Sequence, residues 1–158
     1  MKINCLIILF VLMALSSCEK REFIYYEYDG TVITRVNRDA ESYFYYGRYN
    51  ENSSALPDEY IRAEYAGFDG IMNAYLVFEK GRKVRFVEMY DYFEQIGNSP
   101  GLYLFEYKEN ADFIKWHDSI AGDYDNSVFI YNVTDTERLV NQRNNSKVAV
   151  EYPKQAKR

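Results

Sequence analysis

The sequence predicts an antiparallel α+β domain: seven to nine strands in a curled sheet or partly closed barrel, with two short helices late in the chain. Three observations predict it. Aromatic and β-branched runs of strand length recur from residue 23 to residue 152, tight-turn dipeptides such as Asp29-Gly30 separate them, and helical spacing is confined to short stretches in the second half. The load of 17 Tyr and 10 Phe agrees, because a Tyr ring packs on a half-buried sheet while its hydroxyl reaches water or a partner.

Residues 23–28 and 31–36 are β-rich runs about Asp29-Gly30, which favours a hairpin turn. Residues 42–49 read as a third strand with aromatics on both faces, and the polar stretch 50–57 as a loop. Along 60–68, Ile61, Ala63 and Tyr65 fall on one face while Arg62 and Glu64 point the other way. Asp69-Gly70 then turns the chain into 71–78, and Glu79-Lys80-Gly81-Arg82 turns it into 84–89, where Val84 and Phe86 share a face. These three runs read as an antiparallel meander.

Asp91 and Glu94 have the spacing of a capping box, with Gly97 placed to end one helical turn. Residues 102–107 form a further strand, with Tyr103, Phe105 and Tyr107 on one face and Leu102 and Leu104 on the other. Asn110 caps a helix through Ala121, in which Phe113, Trp116 and Ile120 recur at helical spacing before Gly122. A strand over 128–133 precedes Thr134-Asp-Thr-Glu137, a capping box opening a helix that carries Leu139 and Val140. A last strand over 147–152 ends at Pro153, and the basic tail 154–158 is expected to be disordered.

At the N-terminus Lys2 precedes an uninterrupted apolar run over 5–15, followed by Ser16-Ser17-Cys18. As a helix that run would be roughly 16 Å long, well short of the ~30 Å hydrocarbon core, so it reads as an export signal and not as a span. The segment resembles a bacterial lipoprotein signal peptide: Leu15, Ser16, Ser17 and Cys18 match the lipobox position by position. The resemblance implies that the Cys18 thiol takes a diacylglyceryl group, that the chain is cut before Cys18, and that the new amine is acylated. Two or three acyl chains, at about 0.8 kcal/mol per buried methylene, would hold the protein on a membrane. Glu19 follows the cysteine where the inner-membrane retention signal has Asp, which points to the outer membrane. The expected organisation is a removed signal (1–17), a lipidated Cys and charged tether (18–22), one globular domain (23–153) and the tail (154–158).

The net charge is −5 with both signs interleaved, the pattern of a solvated surface and not of a nucleic-acid footprint. Cys5 leaves with the signal and Cys18 carries lipid, so no disulfide is expected within the domain. With one His and no free Cys, zinc sites of several His or Cys ligands and a Cys nucleophile are excluded. No metal or cofactor is expected.

His117 lies in Trp116-His117-Asp118-Ser119, but consecutive helical residues point about 100° apart and cannot form a triad among themselves. The expected role of His117 is a local hydrogen bond or a solvated position. Asp58-Glu59, Asp91 with Glu94, and Asp123 with Asp125 show no spacing that selects a glycosidase pair, and Asp123-Tyr-Asp125-Asn126 lacks the glycine and terminal Glu of an EF-hand. Gly97 to Gly101 is not followed by the Gly-Lys-Ser/Thr of a phosphate loop. Asp118-Ser119-Ile120 resembles a bacterial O-glycosylation sequon, a match of only three residues.

The densest aromatic group, Tyr25, Tyr26, Tyr43, Tyr45, Tyr46 and Tyr49, is the candidate ligand-binding set, and the same rings would serve equally to staple neighbouring strands. The expected function is a noncatalytic, membrane-anchored module that binds an envelope protein or glycan. The alternatives are a lipocalin-like barrel holding an apolar ligand, although the early Gly-x-Trp of that family is absent, and a hydrolase using carboxylates and His117.

Overall fold

The computed structural model describes residues 21–38, 41–49, 57–64, 74–88, 93–107, 109–119, 124–131 and 134–152. The signal segment, Cys18, Glu19, most of the 50–57 loop, Tyr65, the Asp69-Gly70 turn, Asp91, residues 120–123, Pro153 and the tail 154–158 lie outside them.

Among the described residues, ten strands form two sheets, mostly antiparallel, with two helices late in the chain. In chain order these are β1 (Arg21–Tyr28), β2 (Thr31–Arg38), β3 (Glu41–Tyr46), β4 (Tyr60–Glu64), β5 (Ala74–Glu79), β6 (Lys83–Glu88), β7 (Phe93–Ile96), β8 (Leu102–Glu106), α1 (Asn110–Ser119), β9 (Ser127–Ile130), α2 (Thr134–Arg143) and β10 (Ala149–Glu151). The first sheet runs β10-β1-β2-β3-β4-β7 and the second β8-β6-β5-β9. β1 begins at Arg21, inside the stretch read as tether.

The expected hairpin is present, with Tyr28 opposite Thr31. Asp29 and Gly30 both have positive φ, 47° and 69°, as a two-residue turn matching strand twist requires. The β5–β6 hairpin, with Glu79 opposite Lys83, closes through three residues, Lys80 to Arg82, of which Gly81 and Arg82 have φ 81° and 60°.

Three expectations are corrected. The run containing β4 does not form a meander with β5 and β6: β4 stays in the first sheet between β3 and β7, while β5 and β6 build the second. Residues 93–96 are strand and not helix, because pairing Phe93 with Ala63 seats its ring 4.6 Å from that of Phe86 in the core. β8 pairs with β6 in parallel, Val84 opposite Leu102, because the chain crosses to the first sheet as β7 before returning.

The two sheets bury one face each against the other. Ile24 and Tyr26 of β1, Ile33, Phe44, Ile61 and Ala63 meet Ala74, Leu76, Phe78, Val84, Phe86 and Leu102 in one continuous core, with Val128, Ile130 and Val148 completing it. Phe44 and Phe86 meet edge to face at 4.8 Å across the layer. The outer face of the second sheet is covered by α1, whose Phe113 and Trp116 pack on Tyr75, Val77 and Val87. β5 is therefore buried on both faces from Ala74 to Phe78.

Candidate functional site

Alternation along β1 and β3 separates the six candidate tyrosines. Tyr25, Tyr43 and Tyr45 point away from the second sheet, whereas Tyr26 is fully buried between the sheets. Tyr46 closes β3, donates its hydroxyl to the Arg82 carbonyl at 2.7 Å, and lies so close to Gly101 that a Cβ there would clash with the ring. Tyr26 is therefore a core residue, and Tyr46, although exposed, lies on the face of β3 opposite Tyr43 and Tyr45.

The remaining four come together with a fifth ring. Gly47 turns back, its N–H donating to Val32 O at 2.8 Å, and Thr34 Oγ1 donates to Gly47 O at 2.6 Å while accepting from Tyr49 N–H at 3.2 Å. This lays Tyr49 on Tyr45, with ring centroids 5.8 Å apart, and lets Tyr25 donate to the Tyr49 carbonyl at 3.2 Å. Tyr60 stands 5.5 Å from Tyr43 and 5.8 Å from Tyr45. Its place follows from β3–β4 register: Tyr43 faces Arg62, so Tyr60, two residues earlier, lands beside Tyr45. Sequence spacing alone does not reveal that register.

Tyr25 and Tyr45 are buried, as are Thr34 and Val36 on the same side of the sheet, whereas Tyr43, Tyr49 and Tyr60 remain half-buried around them. Two arginines flank the rings. Arg48 lies 4.2 Å over the Tyr25 ring and pairs with Glu151, while Arg62 pairs with Glu94 at 2.8 Å and approaches Glu41 at 3.9 Å. The hydrogen bond that Tyr43 donates to Glu41, together with burial, pushes the Tyr43 phenol up to about 12. Burial, then the neighbouring phenols, raise that of Tyr45 further. Tyr43 and Tyr45 are therefore neutral, hydrogen-bonding rings at physiological pH.

A buried polar cluster, unforeseen in the sequence, joins α2 to the sheets. Arg35 and Glu137 are fully buried and 3.2 Å apart. Arg35 also donates to the Tyr131 carbonyl at 2.9 Å and to Asn37 Oδ1 at 2.7 Å, while Glu137 accepts from Tyr26 Oη at 3.0 Å and Tyr131 N–H at 2.9 Å. Burial raises the Glu137 carboxyl, opposed by Arg35 and these donors. Glu137 was expected to close a capping box at Thr134; its carboxylate instead serves the core.

His117 Nε2 lies 3.1 Å from Tyr75 Oη, and Nδ1 lies 3.6 Å from Asp118. Ser119 donates to the Trp116 carbonyl at 2.6 Å and so is not engaged with His117. His117 thus bonds across to β5, 42 residues away in the chain, in place of the local hydrogen bond or solvated position expected. Asp125 pairs with Lys147 and Asn126 donates to Phe78 O at 2.7 Å, the work of a polar turn. Among the described residues no cluster of three His, Cys, Asp or Glu could hold a metal ion. No family model, curated protein or solved structure matches the chain.

Proposed function

We propose that this chain is a noncatalytic envelope lipoprotein, anchored through acylated Cys18 on the outer membrane, that binds an envelope protein or glycan with the outer tyrosine face of its first sheet. The observation that carries the reading is the convergence of Tyr25, Tyr43, Tyr45, Tyr49 and Tyr60 with Arg48 and Arg62 at their edge. Tyr supplies large contact area at low entropic cost, and Tyr and Arg are both enriched among the residues that carry the binding energy of interfaces. A rigid, ring-supported centre with half-buried tyrosines around it is preorganised for contact. The packed space between the sheets supports this reading over an apolar-ligand carrier, because core side chains occupy it.

With β1 beginning at Arg21, two residues would separate Cys18 from the sheet, a reach of roughly 10 Å at about 3.3 Å per residue. The domain would sit against the bilayer, its partner within the same envelope layer.

The test is a crosslinked pull-down of the tagged full chain from the envelope, with Cys18→Ala and a Tyr43→Ser/Tyr49→Ser/Tyr60→Ser variant as controls, alongside labelling with a palmitate analogue. The expected outcome is labelled protein that lacks residues 1–17 and a stoichiometric partner that the tyrosine variant loses. Unlabelled protein of full precursor mass would remove the anchor, and a partner retained by the tyrosine variant would remove the face.

A further inference from the structure

At the end of the sandwich reached by the last residue of β1, three turns meet: Asp29-Gly30, Lys80 to Arg82, and Asp125-Asn126. Between them opens a cleft of about 430 Å³, within the size range of small-ligand sites. It shares no lining residue with the tyrosine face, and its walls are held from behind. Phe78 N–H donates to Asn126 O at 2.8 Å, Asn126 Nδ2 donates to Phe78 O at 2.7 Å, and Tyr46 fixes the Arg82 carbonyl.

The charges lining the cleft divide into spent and unspent. Glu79 is taken by the Tyr103 hydroxyl at 2.7 Å and by Arg85 at 3.2 Å, and Asp125 is taken by Lys147. No ion pair joins Lys80, Arg82 or Asp29 to another described residue, so the available groups are two cations and one carboxylate. Tyr28 adds an aromatic ring, half-buried and supported by Phe78 at 6.0 Å.

The turns also fix the backbone around the cleft. Only three described non-glycine residues have positive φ, and two of them, Asp29 and Arg82, line this cleft. Asp tolerates that conformation through local hydrogen bonding, whereas a long unbranched side chain gains nothing from it. Both angles are those the two hairpin turns need, and Arg82 takes one of them where glycine would be easier.

We propose that this cleft is a binding site for an acidic saccharide: a uronic-acid-type sugar whose carboxylate is held by Arg82 and Lys80 and whose ring stacks on Tyr28, with Asp29 accepting hydroxyl hydrogen bonds. Arginine matches a carboxylate with two parallel donors, and a partly exposed phenol ring offers a face for the apolar side of a pyranose. The site does not depend on the membrane anchor or on the tyrosine face.

The test titrates the full chain in detergent with a glucuronic-acid disaccharide, a neutral disaccharide of the same linkage and a diglutamyl peptide, by calorimetry and by saturation transfer from protein to ligand. The acidic disaccharide is expected to bind. Arg82→Gly should weaken it by about tenfold or more through loss of a charge-assisted pair, with no fall in Tm because glycine fits the turn. The Tyr43→Ser/Tyr49→Ser/Tyr60→Ser variant should bind the disaccharide unchanged, which separates this site from the face proposed above. Absence of binding, binding indifferent to Arg82→Gly and Lys80→Ala, or equal binding of the neutral disaccharide or of the peptide would each overturn the assignment.

Discussion

At Glu137 a carboxylate without access to solvent receives Arg35, the Tyr26 hydroxyl and the Tyr131 N–H, and so connects α2, β1, β2 and the end of β9. Every described partner is a donor, which is why a neutral amide is a poor replacement: one end of Gln would present hydrogens to hydrogens. Glu137→Gln also leaves the Arg35 cation buried without its counterion, a change that costs about 3–5 kcal/mol. Adding Arg35→Met should return part of that loss by removing the uncompensated charge. Urea unfolding of the two variants measures both effects, and a single variant as stable as the parent would mean that the carboxylate is not ionised in the fold.

Among the elements, α2 has an unusual task. Its Leu139 is 67% exposed, so the helix is not held by an apolar stripe alone. Asn141 accepts from Phe129 N–H at 2.8 Å and donates to Phe129 O at 2.8 Å, repeating on the free edge of β9 the pair of bonds that a neighbouring strand would make. Glu137 and Arg35 do the same for the Tyr131 N–H and C=O. A sheet edge that would otherwise template association is thereby closed by side chains. Asn141→Leu, close in volume but unable to bond, strands a buried N–H and C=O at about 1–3 kcal/mol. The expected result is a lower Tm with increased self-association on sizing columns, and a monomer of unchanged Tm would count against edge protection by α2.

For the whole molecule, the phenols set the alkaline limit. Burial pushes Tyr75 up to about 12, the Glu41 hydrogen bond and burial bring Tyr43 to about 12, and Tyr26, Tyr45, Tyr103, Tyr107 and Tyr152 are also raised, chiefly by burial. A phenol raised in the folded state favours folding fully below its unfolded value near 10 and loses that contribution as pH rises through the folded value. Stability should therefore be flat to about pH 10 and fall between about 10 and 12. Phenolate absorbance is expected to rise in two stages, accessible tyrosines first and the rest together with loss of near-ultraviolet circular dichroism. A single gradual titration near pH 10 with dichroism intact would show that these rings are not enclosed.

What short-range physics decides is legible in the residues themselves. The β1–β2 and β5–β6 hairpins follow from turns that need positive φ, the strand faces from a period of two, and the start of α1 from Asn110. Adjacent tyrosines such as Tyr25 and Tyr26 were bound to point to opposite faces by the same alternation. Long-range packing sets which sheet each strand joins, that 93–96 extend to fill the core in place of coiling, and that β6 and β8 run parallel. It alone brought Tyr60 into the ring cluster, sent Glu137 inward to Arg35 and gathered three turns around one cleft. The reason is common to all of these: a pattern of alternation names two faces but not the partner of either. The partner is chosen by burying side chains from residues far apart in the chain, where core volume outweighs local preference.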